Sequence, residues 1–62
     1  MNEFKGIITK IDDDFYYIHD SVNEYIANKN DFLYEDILIN QKVIFKPVYN
    51  VVLKATLISK DE

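Results

Sequence analysis

Short runs of alternating apolar and polar residues, bounded by turn-forming residues, make up this chain, and no stretch reads as a full helix. The run that organises the rest is Asp14-Phe15-Tyr16-Tyr17-Ile18-His19. Alternation puts Phe15, Tyr17 and His19 on one strand face, and Tyr16 and Ile18 on the other. Ile18 is the natural core residue, so the first face carries two large rings and an imidazole that must be either buried or used. Residues 4–11 read as a first strand, with Gly6 marking a bulge or bend. Asp12-Asp13-Asp14 suits a tight turn, and 15–19 is the second strand. Asp20-Ser21-Val22-Asn23 is the next turn, followed by a third strand over 24–28 with Ile26 inward and Tyr25 and Ala27 outward.

Residues 29–40 form a long connection containing Phe32, Leu33 and Tyr34, in which Asn30 or Asp31 caps one short helical turn. Asn40-Gln41 is a turn, since Asn tolerates positive φ. A fourth strand covers 42–46 and is ended by Pro47, which cannot donate to a ladder. A fifth covers 51–58, and the tail over 60–62 is expected to fray. Five short strands predict an all-β barrel, antiparallel throughout, because closure removes exposed sheet edges.

Composition narrows the chemistry. Sixty-two residues make one domain, and a domain this small buries only roughly 60% of its unfolded surface. Without cysteine there is no disulfide and no thiolate metal site, and a single His builds no zinc site. The Asp12-Asp13-Asp14 triplet is consecutive and lacks the glycine of a calcium loop, so it reads as a solvated turn. Asp31, Glu35 and Asp36 in the long connection read as solvated charge or as a face for a basic partner. His19 has no nucleophile or carboxylate placed to make it a base, and no phosphate loop or dinucleotide fingerprint is present. A non-enzyme without metal or cofactor is expected. No apolar run reaches about 18 residues, and the first four residues are too polar for a signal peptide. The expectation is a soluble cytoplasmic protein with no membrane partner, as monomer or homodimer. Net charge is −4, from 7 basic and 11 acidic residues, and every basic residue is Lys. That balance is unusual for a nucleic-acid binder, although the local potential around a groove matters more than the total.

The order of residues resembles the bacterial cold-shock domain, a five-stranded oligonucleotide-binding (OB-fold) barrel. Gly6-Ile7-Ile8-Thr9 resembles that family's opening Gly-x-Val-Lys. Phe15-Tyr16-Tyr17-Ile18 resembles its first RNA-binding motif, and Tyr25-Ile26-Ala27 its second. Asn40-Gln41-Lys42-Val43-Ile44-Phe45 resembles the start of its fourth strand, and Lys54-Ala55-Thr56-Leu57 its closing strand. The resemblance spans residues 6–58 and implies one OB-fold domain over 1–62 that binds single-stranded RNA or DNA by stacking bases on outward rings. Carried over by position, Phe15, Tyr17 and Tyr25 are the stacking residues. His19 shares their face by alternation, and Lys5 and Lys10 are phosphate contacts at the rim.

The chain departs from that family where its strand-one Trp falls on Lys10, its strand-three His and Phe on Ala27 and Asn28, and its Lys-Gly on Asp13-Asp14. These departures support an alternative: an acidic protein-interaction module on the same barrel, a modulator or nucleic-acid mimic with a basic protein partner. Convergence of Lys5, Lys10, Lys29, Lys46 and Lys54 on the aromatic face would favour nucleic acid. Carboxylates around it would favour a protein.

Overall fold

The computed structural model describes residues 4–31, 36–49 and 53–61. Phe32, Leu33, Tyr34 and Glu35 of the long connection, Val51 and Val52 of the expected fifth strand, and the terminal Glu62 lie outside the described residues, as does the Asp31 side chain. The strands are β1 (Phe4–Ile11), β2 (Phe15–His19), β3 (Glu24–Asn28), β4 (Lys42–Tyr49) and β5 (Leu53–Lys60).

The turns on either side of β2 use the same device. Oδ1 of Asp12 accepts from the backbone N–H of Asp14 and Phe15, and the Asp12 N–H donates to the Phe15 carbonyl. Eight residues on, Oδ1 of Asp20 accepts from Val22 and Asn23, and the Asp20 N–H donates to the Asn23 carbonyl. Aspartate favours such turns because its short carboxylate reaches backbone N–H groups two and three residues ahead. The second turn also takes Ser21 to a φ of 89°.

A short 3₁₀ turn, Lys29–Asp31, follows β3. Asn28 caps it in place of the expected Asn30: its Oδ1 accepts from the Asn30 N–H. Asn40 adopts φ 73°, the positive value its type tolerates.

The strands close in the order β1-β2-β3-β5-β4, with β4 pairing back on β1, as a five-stranded OB-fold-like barrel. The barrel is mixed and not purely antiparallel, because β3 and β5 run parallel through Ile26↔Lys54 and Ala27↔Ala55. Strand β4 runs past Pro47 to Tyr49, paired there with β5. Its β1 partners end at Phe4↔Phe45, and proline is tolerated where a ladder is one-sided. The C-terminal end is tied in as well: Lys60 lies in β5 and the Asp61 N–H donates to the Lys42 carbonyl. Asp36, expected as a solvated charge, is exposed and pairs with Lys60 at 2.7 Å.

Strand β3 presents the face opposite to the expected one. Tyr25 and Ala27 point into the core, and Ile26 is half-exposed. Register explains this: Ile18 faces Tyr25, and Tyr16 faces Ala27. Directly opposed residues share a side of the sheet, so the inward Tyr16 and Ile18 carry Tyr25 and Ala27 inward with them. Volume agrees, since the small Ala27 and Ala55 lie side by side where the buried Tyr16 ring needs room. Size agrees too: burying the Tyr25 ring removes about 150–250 Å² from water. The Tyr25 ring packs on Phe45 at 4.8 Å, and Phe45 packs on Phe4 at 5.9 Å.

Gly6 is not a bulge; the register shift in β1 falls between Ile8 and Lys10. Glycine is needed at position 6 because a Cβ there would lie 2.7 Å from Ile18 Cγ2, 2.9 Å from the His19 carbonyl oxygen and 3.1 Å from Phe45 Cε1. The first and third belong to fully buried side chains and the second to backbone, so none can yield cheaply. Gly6→Ala is expected to cost roughly 1–3 kcal/mol, about 5–20 °C in Tm for a domain of this size. A thermal melt followed by circular dichroism measures it; an unchanged midpoint would show that the contact is loose.

Candidate functional site

The outward residues of β2 point where alternation places them: Phe15 and Tyr17 are half-buried and His19 is exposed. They do not form one continuous platform. Cross-strand register aligns Lys10, Tyr17, Ile26 and Lys54 in a row over β1, β2, β3 and β5. At one end the Lys10 ammonium lies over the Tyr17 ring, 5.2 Å from its centroid. On the next pleat Phe15 faces Asn28. Phe15, Ile26, Asn28, Val48, Lys54 and Thr56 surround an open cleft of about 340 Å³.

Tyr17 is fixed from two sides. Its hydroxyl donates to Asp12 Oδ2 at 2.9 Å, while Asp12 Oδ1 holds the turn. The Asp12 carboxyl sits below the ordinary carboxylate value, mainly because the Asp14 and Phe15 N–H groups bond its anion, with help from the Tyr17 hydroxyl and Lys10. The Tyr17 hydroxyl is pushed above the ordinary tyrosine value by that bond to Asp12, with burial and the charges of Asp12 and Glu24 adding to it. Two carboxylates therefore act on the ring that Lys10 covers. Among the described residues no carboxylate lines the Phe15 cleft, and Lys54 is its one charged lining residue.

The remaining sequence-predicted residues lie elsewhere. Tyr25 is 3% exposed and packed at a tilt against Phe45, so it offers no face to a ligand. The expectation that it stacks on a base is corrected by its inward register. Lys5 and His19 line a different cleft with Lys42. Lys29 lies over the buried Tyr16 ring at 5.4 Å, and Lys46 is opposite Thr56 on β4. Of the five lysines considered, Lys10 and Lys54 flank the aromatic row directly. Sequence reasoning did not place Ile26, Asn28 and Thr56 at the site. The parallel β3–β5 contact that assembles them joins residues 28 positions apart (54 − 26), without a local signal.

Among the described residues, no group of His and acidic side chains is placed to hold a metal ion. No helix there is long and apolar enough to cross a membrane. No protein-family model matches the chain, and neither the curated proteins nor the solved structures give a match.

Asp12 and Asp20 are both held below the ordinary carboxyl value of 3.8, chiefly by backbone N–H groups of their turns. A depressed folded-state pKa stabilises the fold fully above the unfolded value, and the contribution is lost as pH falls through the folded one. The urea midpoint is thus expected to drop between about pH 5 and pH 3. Asp12→Asn, which keeps an acceptor but cannot titrate, should flatten the slope; an identical slope in the variant would remove Asp12 from the account. Tyr17 acts in the opposite range: its contribution is present below the ordinary value of 10.0 and lost as pH rises through the raised one.

Proposed function

We propose that this chain binds single-stranded RNA or DNA weakly, as a non-enzymatic cytoplasmic protein using the outer face of β1, β2, β3 and β5. It does so as a divergent, cold-shock-like barrel. The observation that carries this reading is the row Lys10–Tyr17–Ile26–Lys54, with cations at both ends and the Phe15 cleft beside it. Every base has a π-face, and stacking on an aromatic side chain contributes about 1–3 kcal/mol per base. Phe15 is the better receptor, because Lys10 already occupies one face of Tyr17 and Asp12 takes its hydroxyl. Among the described residues that cleft sets no carboxylate beside Lys54. Near Tyr17 a phosphate lies close to Asp12 and Glu24, well inside the roughly 8 Å screening length of physiological salt. The strand is therefore expected to sit toward Phe15 and Lys54.

Those two carboxylates beside Tyr17 are also the observation behind a second reading, a protein-interaction face for a basic partner. A basic protein retained by the wild type and released by Glu24→Lys would favour it.

Quenching of tyrosine fluorescence by a short oligopyrimidine at low ionic strength tests the first reading. Phe15→Ala is expected to weaken binding roughly 5- to 100-fold, the equivalent of one lost stack. With two lysines engaged, the slope of log affinity against log salt should be shallow, about −1 to −2. No quenching at low salt, or equal binding by Phe15→Ala, would remove the stacking face.

A further inference from the structure

A second cleft, of about 460 Å³, lies on the outside of the barrel and shares no lining residue with the first. Volumes of this order accommodate a small organic molecule. Ile7 and Gly6 lie between its charged walls. Register places His19 of β2 on one side of Ile7 and Lys42 of β4 on the other. Lys5 stands two residues back on the same face of β1, about 7 Å along the strand.

The cleft presents donors. Among the described residues Lys42 has no ion-pair partner, and Lys5 has only a 3.8 Å contact with Asp61. The His19 Nδ1 accepts from the Ser21 N–H at 3.4 Å, so a neutral imidazole carries its proton on Nε2, where it is a donor. Two carboxylates also line the cleft: Asp20 Oδ1 holds the Val22 and Asn23 N–H groups, and Asp61 contacts Lys5 at 3.8 Å. Three donor side chains from three strands therefore border one apolar residue.

We propose that this cleft binds a small phosphorylated molecule. Its phosphate oxygens accept from Lys5, Lys42 and His19 Nε2, and its flat or apolar body covers Ile7. Phosphate suits the donor set: three terminal oxygens meet three donors, and lysine serves phosphate as a point charge. The same oxyanion chemistry occurs in a free mononucleotide and in the backbone of a strand held at Phe15, and the experiment separates the two.

Backbone amide resonances are followed by NMR during titration with inorganic phosphate, a nucleoside 5′-monophosphate and a short oligopyrimidine. The mononucleotide is expected to move the Ile7, His19 and Ser21 amides saturably with Kd of about 1 mM, and inorganic phosphate to move them more weakly. Lys42→Gln, at an exposed position, should weaken this roughly 5- to 10-fold, whereas Phe15→Ala should leave it unchanged. Non-saturating shifts, or equal binding by Lys42→Gln, would overturn the site. So would shifts seen with the oligopyrimidine alone and abolished by Phe15→Ala, because the cleft would then serve only the strand. Because the mononucleotide response does not depend on Phe15, loss of the stacking reading would leave this site standing.

Discussion

Phe45 has no solvent exposure, and the rest of the barrel is arranged around that ring. Tyr25 lies against it at 4.8 Å and Phe4 at 5.9 Å, and a Cβ at Gly6 would press on its edge at 3.1 Å. A chain of 62 residues cannot enclose a large interior, so a few rings must fill it at near-crystalline density. The small residues are placed by the same need. Ala27 and Ala55 meet where β3 and β5 run parallel, and the Tyr16 ring faces Ala27 across β2.

Filling the interior with rings limits what the outside can offer. Tyr16 and Tyr25 are both buried, so only Phe15 and Tyr17 remain as outward aromatics of β2 and β3. Tyr17 is further committed by the Asp12 carboxylate, which links the first turn to the aromatic row. One residue thus shapes the hairpin, fixes a ring and sets a negative charge beside it. The cost for any polyanion is local. It is heaviest at the Tyr17 end of the face, where Glu24 adds to Asp12; at the Phe15 end Lys54 is the one charged cleft residue among those described.

Two clefts result from one strand. Because β2 alternates, Phe15 and His19 share a face, yet they open onto separate depressions with Tyr17 between them. The Phe15 cleft is completed by β3, β4 and β5, and the His19 cleft by β1, β4 and the segment after β5. Their chemistry differs accordingly: among the described residues one combines a ring with a single lysine, and the other sets two ammonium groups, an imidazole and the carboxylates of Asp20 and Asp61 around an aliphatic side chain.

Five strands, their approximate limits, the Asp-initiated turns, the positive φ at Asn40 and the outward face of β2 were all legible in the residues, because each depends on neighbours a few positions away. Alternation reports that two faces exist, and a residue such as Ile18 identifies the inner one when its pleat partners are unambiguous. In Glu24-Tyr25-Ile26-Ala27-Asn28 both faces contain apolar residues, and a one-residue change of register exchanges them. Only pairing with β2 decided that Tyr25 lies inside. The same holds for Gly6, whose necessity comes from Ile18, His19 and Phe45 on other strands, and for Lys54, brought to Ile26 by a parallel contact between distant segments. Local sequence fixes hydrogen-bonded turns and strand period; which surface a side chain joins is set by packing between segments that the chain order keeps apart.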